Sequence, residues 1–405
     1  MKILLCTIGM YEGTERLMPW RTIIEVAKHM NLQLDTHADI YSYQHAASEA
    51  YRFYDGVCIC QANTDITELI KYVETEGYDA IYYPVAFRDV FKSWHLFRRL
   101  NIRKIAYIPG GIYSWRGVFA LGLARGFSTV RSYLLEQLIP HRMVLSRLRK
   151  AGFSHLICQS DFTAKHIASQ GWNSERVLVA LPGIDGFGEL QSDEGVLKAY
   201  RLQKTKFLLF SGAPAAIRGS ILCMKAFDRF ARTTPDARLV MLMRRDLHSD
   251  FSRFNRELDT LECKSQVTVL FEQLTPAQLK AFFERAYAVV LPFLLIPSEI
   301  PLTFFEVLSC GTPIVTFDNG GTTDYLKTCI VSEKSRSRES LASAMATFWE
   351  MPARREHLAV AAKKLITQHP LWAQTTKIWL QPIEKLGVLS SAASTDRGKR
   401  RSSTY

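Results

Sequence analysis

The 405-residue chain has no apolar run long enough to cross a membrane as a helix. Such a helix needs about 18 or more consecutive apolar residues, and the longest apolar run, residues 286–296, is interrupted by Pro292. The start, Met1–Cys6, is too short an apolar stretch for a signal peptide and lacks a small-residue cleavage site. These absences predict a cytoplasmic protein, and we interpret the first apolar residues as a buried strand.

The sequence also lacks the cysteine spacing of a structural zinc site. Of eight cysteines, only Cys58 and Cys60 lie close together, and no second pair follows at zinc spacing. Cysteines inside apolar patterns usually act as small hydrophobic residues. We therefore expect neither a metal nor another bound cofactor.

Acidic residues are in the minority, and the formal net charge is +12. A positive field attracts nucleotide diphosphates, anionic lipid head groups and nucleic acid alike, so it does not choose among them. A merely soluble basic surface explains it equally well. Hydrophobic residues at 47% and charged residues at 22% are ordinary for a globular protein.

Apolar segments of strand length alternate with amphipathic segments of helix length in both halves of the chain. This alternation predicts two α/β domains with parallel sheets, joined near residues 182–194. The first strand is predicted at residues 2–8. A polar stretch after Met30 interrupts the pattern until the strand predicted at residues 56–60, and helices are predicted at residues 64–76, ending near Gly77, and at residues 89–100. Ligands of such sheets bind at the carboxyl ends of the strands, which predicts a cleft between the two domains as the binding site.

Three segments of the second half carry the chemistry. In residues 207–219 an apolar strand leads through a short loop to Arg218, Gly219 and a helix, and a cation beside a helix amino terminus suits a diphosphate. Residues 297–315 carry two acidic side chains ahead of a Cys-Gly-Thr-Pro turn, and carboxylates accept hydrogen bonds from sugar diols. Residues 318–324 contain a Gly-Gly turn that lets the backbone approach a ligand.

Taken together, these segments resemble the family 4 glycosyltransferases, retaining enzymes with the GT-B fold. The resemblance implies two Rossmann-like domains that face each other across a cleft, with a C-terminal helix that crosses back to the N-terminal domain. The predicted ranges are 1–188 for the N-terminal acceptor domain, 189–370 for the C-terminal donor domain, and 371–386 for the crossing helix. Residues 388–405 are predicted to be a disordered basic tail.

In the first segment, the family pattern is G-R-x4-K-G after a strand. Arg218 stands at the lysine and keeps a cation with a forked geometry suited to phosphate. Ala213 stands at the arginine, so one expected cation is missing, and Lys225, Arg244 and Arg245 are its candidate replacements. The resemblance also assigns Gly212 and Gly219 to donor binding.

In the second segment, the family pattern is E-x7-E, in which the first glutamate binds the donor sugar and the second binds the ribose. Glu306 aligns with the second glutamate. Glu299 precedes it by seven positions and Ser298 by eight. Either the loop is one residue shorter and Glu299 still reaches the sugar as the catalytic-site carboxylate, which we favour, or the contact has changed.

The third segment assigns Gly320, Gly321 and Thr322 to donor binding, while Asp324 is either a ligand or an ordinary acid at a helix start. Residues 155–163 and 181–185 match the end of the family's first domain. Two family features are absent. The loop after the first strand is only loosely glycine-rich, and Gly110-Gly111 stands where relatives carry a histidine near the reacting sugar.

The predicted function is a metal-independent, hexosyltransferase-like retaining glycosyltransferase that takes a nucleotide-sugar donor and a glycan, lipid or small-molecule acceptor. The alternative is a nucleotide-sugar-binding or scaffold protein without catalysis. Basic and apolar residues between 112 and 150 leave peripheral contact with an anionic membrane open. Nucleic-acid binding rests only on the net charge and the tail.

Overall fold

The computed structural model describes residues 1–10, 12–33, 35–43, 50–62, 65–112, 118, 138–244, 249–295 and 298–384. The predicted tail 388–405 and most of the basic, aromatic stretch after residue 112 lie outside these residues. Within them the chain forms two compact units. Of these residues, unit 1 comprises 1–110, 138–183 and those from 370 onward, and unit 2 comprises 111, 112, 118 and 184–369.

Unit 1 is built on an eight-stranded sheet. Its strands are β1 (Lys2–Ile8), β2 (His37–Tyr43), β3 (Ala50–Tyr54), β4 (Val57–Gln61), β5 (Ala80–Pro84), β6 (Arg103–Tyr107), β7 (Phe153–Cys158) and β8 (Val177–Val179). Its helices are α1 (Trp20–Asn31), α2 (Ile66–Glu76), α3 (Phe87–Ser93), α4 (His141–Lys150) and α5 (Asp161–Ser169). The strand order is β3-β4-β2-β1-β5-β6-β7-β8, and every pair is parallel except the antiparallel hairpin of β3 and β4.

Strand β2 lies inside the polar stretch for which the sequence predicts no element. Its polar residues Asp39 and Ser42 are buried, and both are hydrogen-bonded. The Tyr78 hydroxyl donates to Asp39 at 3.0 Å, and the Ser42 hydroxyl accepts from the Met10 N–H at 2.9 Å. A buried polar group is tolerated when it is hydrogen-bonded. The apolar pattern of the sequence therefore does not reveal β2, because the partners of its polar residues are distant in sequence.

Two predicted helices differ from the structure at their boundaries. Helix α2 is capped by the Asp65 carboxylate, which accepts from the N–H groups of Thr67 and Glu68, and it ends at Gly77 with φ +67°. The helix predicted over residues 89–100 is instead α3 followed by a separate 3₁₀ turn, Leu96–Arg99.

Unit 2 is built on a six-stranded parallel sheet. Its strands are β9 (Leu208–Gly212), β10 (Leu239–Met243), β11 (Val267–Leu270), β12 (Ala288–Leu291), β13 (Ile314–Phe317) and β14 (Ile330–Glu333). Its helices are α6 (Gly195–Ala199), α7 (Ser220–Ala231), α8 (Phe251–Asp259), α9 (Pro276–Arg285), α10 (Leu302–Ser309), α11 (Gly321–Leu326), α12 (Arg338–Trp349) and α13 (Pro352–Gln368).

The strand order in unit 2 is β11-β10-β9-β12-β13-β14, the doubly wound order of a Rossmann fold. Neighbours are parallel throughout. The order reverses between β9 and β12. In open sheets of this kind ligands bind beyond the carboxyl ends of the strands at such a reversal, so the loops that follow β9 and β12 are the first place to look for a site.

The last described helix, α14 (372–384), packs within unit 1. The Trp379 ring lies 5.5 Å from that of Tyr82 and 5.3 Å from that of Tyr107, and the Tyr82 hydroxyl donates to the Trp379 carbonyl. The prediction that the chain returns to its first domain is confirmed.

Apart from β3 and β8, at the two edges of the unit 1 sheet, every strand carries buried apolar side chains on at least part of its length, as expected when helices cover both faces. Among the described helices, none has the length and apolar content that a membrane-spanning segment needs.

Candidate functional site

The loop after β9 ends at a position that only glycine can occupy. Residues Ala216–Arg218 form one 3₁₀ turn, and Gly219 follows with φ +68° as the cap of α7. A Cβ at Gly219 would overlap with the carbonyl oxygen of Pro292. Glycine is therefore required here both by backbone conformation and by close approach to the loop after β12.

The same loop binds the chain that follows β12. The N–H groups of Leu294 and Leu295 donate to the Ile217 carbonyl at 2.9 and 3.3 Å. The Arg218 guanidinium lies 5.1 Å from the centre of the Phe293 ring. These contacts hold the cation of the first predicted segment at the switch point between β9 and β12.

Helix α7 presents its amino terminus at this point. Ser220, its first residue, is fully buried, and its hydroxyl has no hydrogen-bond partner among the described residues. An unpaired buried hydroxyl costs about 1–3 kcal/mol. Together with the free N–H groups of a first helical turn, it makes this end of the helix suited to an anion.

The described residues between β12 and α10, 292–295 and 298–301, are buried. Ser298 and Glu299 are 2% and 5% exposed. The Glu299 carbonyl accepts from the Thr322 hydroxyl, which belongs to the third predicted segment. The structure thus brings Glu299 and Thr322 together, whichever of the two residues, Ser298 or Glu299, meets a ligand.

The turn after β13 is also built on a forced glycine. Gly320 has φ +59° and ψ −114° and precedes α11, in which Gly321 and Thr322 are buried. The Asp318 carboxylate fixes the turn by accepting from the Gly320 N–H at 3.2 Å and from the Thr323 hydroxyl at 2.6 Å. Asp324 is exposed in the first turn of α11.

The turn after β13 is joined to the loop after β12. The Asn319 side-chain amide donates to the Phe293 carbonyl at 3.2 Å. Since Phe293 also faces Arg218, residues 292–295 connect all three predicted segments. Sequence spacing predicted the segments one by one, and the fold places them at one edge of the sheet.

Arg336 is a residue that the sequence analysis missed. Its guanidinium donates to the Leu294 carbonyl at 2.8 Å, to the Asp318 carbonyl at 2.8 Å and to the Asn319 side-chain oxygen at 3.2 Å. Burial lowers the pKa of Arg336 from its usual value, but a guanidinium stays charged in proteins. These hydrogen bonds join the loop after β12 to the turn after β13. No local motif marks it.

Glu306 lies on the half-buried face of α10, and the Ser309 hydroxyl donates to its carbonyl at 2.8 Å. Helix α10, which carries Glu306, begins three residues after Glu299. The rest of α10 is mostly buried core, which fixes the direction of this face.

The candidate substitutes for the cation missing at Ala213 differ in availability. Lys225 forms an ion pair with Glu257 at 2.5 Å. Arg244 is exposed directly after β10, and its N–H donates to the carbonyl of Gly212 at 3.1 Å. Arg244 therefore lies at the same edge of the sheet as the site, and Arg245 lies outside the described residues.

After β6 of unit 1, Gly110 and Gly111 stand at the place where relatives carry a histidine, as noted from the sequence. A histidine pair lies elsewhere in this unit. His141 Nδ1 and His166 Nε2 are 2.9 Å apart, and the His141 ring stacks on Phe87 with centroids 4.1 Å apart. Burial, reinforced by His166, lowers the pKa of His141 to about 4, and burial also lowers the pKa of His166. Both rings are neutral at pH 7.

Among the described residues, no three histidine, cysteine, aspartate or glutamate side chains gather in a way that could hold a metal ion. The expectation that no metal takes part remains a prediction.

The fold of the chain is that of the GT-B glycosyltransferases. Solved structures match over nearly its whole length. Sucrose-phosphate synthase from Thermosynechococcus elongatus is 12% identical with a TM-score of 0.70, covering 96% of this chain and 99% of its own. The Anabaena protein HepE in complex with UDP and glucose is 16% identical with a TM-score of 0.66 and the same coverage. The trehalose 6-phosphate synthase from Burkholderia multivorans is 11% identical, also with a TM-score of 0.66 and the same coverage.

Part of unit 2 also matches a family model by sequence. Residues 197–365 match the family model described as glycosyl transferases group 1. This range contains all three predicted segments and Arg336. No curated protein matches the chain significantly by sequence.

Proposed function

We propose that this protein is a retaining glycosyltransferase that transfers a sugar from a nucleotide-sugar to a glycan, lipid or small-molecule acceptor. The observation that carries the proposal is the convergence of three loops around residues 292–295 at the switch point of the unit 2 sheet. A family match to glycosyl transferases group 1 over the same unit supports it.

In the proposed arrangement the donor diphosphate binds to Arg218 and to the amino terminus of α7. A charge-assisted contact with a guanidinium fork and a helix terminus stabilises the leaving group as negative charge develops on it. The unpaired Ser220 hydroxyl is a further donor at the same end of the helix. No step of this scheme requires a metal ion.

Glu306 accepts hydrogen bonds from the ribose, and Glu299 accepts them from the sugar, with Gly212, Gly219 and the turn 320–322 lining the donor site. Carboxylates suit diols because each oxygen accepts more than one hydrogen bond. HepE, of the same fold, was solved with UDP and glucose, which makes a uracil nucleotide and a hexose the first donor to test. Unit 1 is left to bind the acceptor.

The test is calorimetric titration with UDP. Glu306→Ala is expected to abolish measurable binding, and Glu339→Ala, which removes an exposed acid in the first turn of α12, serves as the matched control with affinity unchanged. Equal affinities of wild type and Glu306→Ala would remove the assignment of the ribose site.

A second candidate function is nucleotide-sugar binding without catalysis. Two substitutions at family positions favour it, namely Ala213 for the arginine and glycine for the histidine near the reacting sugar. Turnover separates the two functions. A transferase releases UDP from UDP-glucose when acceptors are screened, whereas a binding protein shows affinity and releases no nucleotide.

Peripheral contact with an anionic membrane is also a proposal. Leu138 and Met143, near the start of α4, are 64% and 47% exposed. Two basic residues of α4 are engaged within the protein, because Arg147 lies over the Phe91 ring and Arg149 donates to the Gly171 carbonyl. Co-sedimentation with vesicles containing phosphatidylserine tests the contact, and the double substitution Leu138→Asp, Met143→Asp is expected to reduce it.

A further inference from the structure

Arg52, on the edge strand β3 of unit 1, has a guanidinium of which one nitrogen is satisfied. Its Nη1 donates to the carboxylate of Glu15. Its Nε and Nη2 atoms are buried and have no hydrogen-bond partner among the described residues. The Glu15 side chain is 6% exposed and that of Arg52 is 20% exposed.

The two unsatisfied nitrogens form one chemical unit. Nε and Nη2 lie side by side on one edge of the planar guanidinium, and their N–H groups run parallel. Such an edge matches two oxygens of a phosphate or a carboxylate, in the bidentate geometry for which arginine is used. Leaving buried charged donors without partners is unfavourable, so this edge indicates a ligand.

The position of Arg52 agrees with a ligand site. Glu15 belongs to the connection between β1 and α1, which leaves the carboxyl end of β1. In the same connection the Met10 carbonyl accepts from Gln61 Nε2 at 3.0 Å and from the Ser42 hydroxyl at 3.2 Å. Strands β1, β2 and β4 therefore meet here at their carboxyl ends, the edge of a parallel sheet where ligands bind.

The charged residues near the Arg52–Glu15 pair include two ion pairs and two exposed side chains of opposite sign. Arg21 and Glu25 of α1 form a pair at 3.9 Å, and Lys28 pairs with Asp55 at 2.6 Å. Arg16 is exposed beside Glu15. Glu12, in the same connection, is also exposed. An anion at the free edge of Arg52 is therefore attracted by Arg16 and repelled by Glu12 and Glu15.

We propose that Arg52 forms an oxyanion subsite in unit 1 that takes a phosphate or carboxylate group of the acceptor. That the ligand is an acceptor rests on the proposed function, whereas the binding of the oxyanion does not. The connection that carries Glu15 must move to admit the anion, because the free nitrogens are buried. Gly13, with φ +88° and open space around its α-carbon, lies within that connection.

The experiment is titration of the full chain with inorganic phosphate, glucose 6-phosphate and glucuronate, followed by calorimetry or by nuclear magnetic resonance shifts. Arg52→Gln is expected to weaken binding of the preferred probe by at least about tenfold, the effect of losing charge-assisted hydrogen bonds. Arg52→Lys keeps the charge without the fork and is expected to lose affinity to a smaller degree.

Two further variants keep the test decisive if Arg52→Gln unfolds, which thermal unfolding reveals. Glu15→Gln removes the competing charge and is expected to raise the affinity severalfold. Lys28→Gln removes one positive charge from an exposed pair on the same side of the unit and is expected to leave affinity unchanged. Tighter binding of glucose 6-phosphate than of glucuronate identifies the group as a phosphate, and the reverse order identifies it as a carboxylate.

The proposal is overturned if no probe binds, if Lys28→Gln weakens binding as much as the Arg52 variants, or if Glu15→Gln has no effect or lowers affinity. UDP binding, which depends on Glu306 in unit 2, is measured on the same variants. Loss of UDP binding in Glu306→Ala with phosphate binding retained shows that the two sites are separate, so either proposal fails independently of the other.

Discussion

The two units carry glycines at corresponding places, but the glycines are required for different reasons. In unit 2, Gly219 combines a positive φ with a backbone approach that leaves no space for a Cβ. In unit 1, Gly9 and Gly13 also have positive φ, +65° and +88°, yet nothing lies within 4 Å of the place a Cβ would take. Gly219 is closely packed, whereas Gly9 and Gly13 have open space at the position of a Cβ.

The hydrogen bonds show the same difference. The loops after β9, β12 and β13 in unit 2 are fastened to one another by Ile217, Asn319 and Arg336. The connection after β1 in unit 1 has an arginine edge left unsatisfied beside it. The contrast teaches that the loops of unit 2 are held together before any ligand binds, and preformed groups are what electrostatic catalysis requires. Under the proposal made for Arg52, its free edge in unit 1 is satisfied only when the oxyanion binds.

The largest expected effect tests this contrast directly. Gly219→Ala should destabilise unit 2 by about 3 kcal/mol or more, because overlap with the Pro292 carbonyl adds to the strain of a positive φ. Gly13→Ala, the matched change in unit 1, should cost about 1–2 kcal/mol from the backbone conformation alone. Thermal and urea unfolding measure both. Equal losses would show that the two loops are packed alike.

The next effect concerns the cation of the donor site. Arg218→Ala should lower the affinity for a nucleoside diphosphate by about 10- to 100-fold, the range for a lost charge-assisted hydrogen bond. Lys225→Ala is the control. Lys225 is held by Glu257, so its removal should change affinity by less than about threefold, as for an exposed ion pair. A larger loss in Lys225→Ala would identify this residue as the substitute for the missing arginine.

Arg336 offers a smaller test of how rigidly the loops are held. Arg336→Ala should lower donor affinity by about fivefold, since one or more neutral carbonyl contacts are lost and both loops relax. Arg336→Lys keeps one donor and should restore part of the loss. KM for the donor and kcat, measured separately, show whether the loops still position the donor. If both constants are unchanged while Tm is lowered, Arg336 has only a structural role.

The smallest expected effect lies in unit 1 and depends on pH. In the folded protein His141 stays neutral until its pKa of about 4, whereas an unfolded histidine binds a proton near about pH 6.5. The unfolded state therefore binds more protons between these values, and this contribution makes stability fall as the pH drops from about 6.5 to about 4.

Replacing His141 by phenylalanine, which keeps a ring against Phe87, should flatten the dependence of Tm on pH over this interval relative to wild type. The difference between the two proteins isolates the histidine from the carboxylates that titrate in the same range. Parallel curves for wild type and variant would contradict the assignment.

Much of the fold was predictable because its signals are local. Strand β1 has its predicted bounds, Lys2–Ile8, and the predicted α2 ends at Gly77 because a left-handed cap marks it. Strand β2 was missed since its buried polar groups are satisfied by residues such as Tyr78, far along the chain. Arg218, Gly219 and Glu299 were predicted as site residues from a motif, whereas Arg336 belongs to none.

Periodicity, turn glycines and motif spacing are properties of neighbouring residues, so the sequence by itself determined the alternation of strands and helices and the three candidate segments. Strand order brings residues together across long separations, so only the tertiary structure decided that Ile217, Phe293 and Asn319 meet. Only the tertiary structure placed Arg52 beside Glu15, with Nε and Nη2 of its guanidinium left without partners among the described residues. A hydrogen bond depends on distance and direction in space, and neither is encoded in the local pattern that specifies an element.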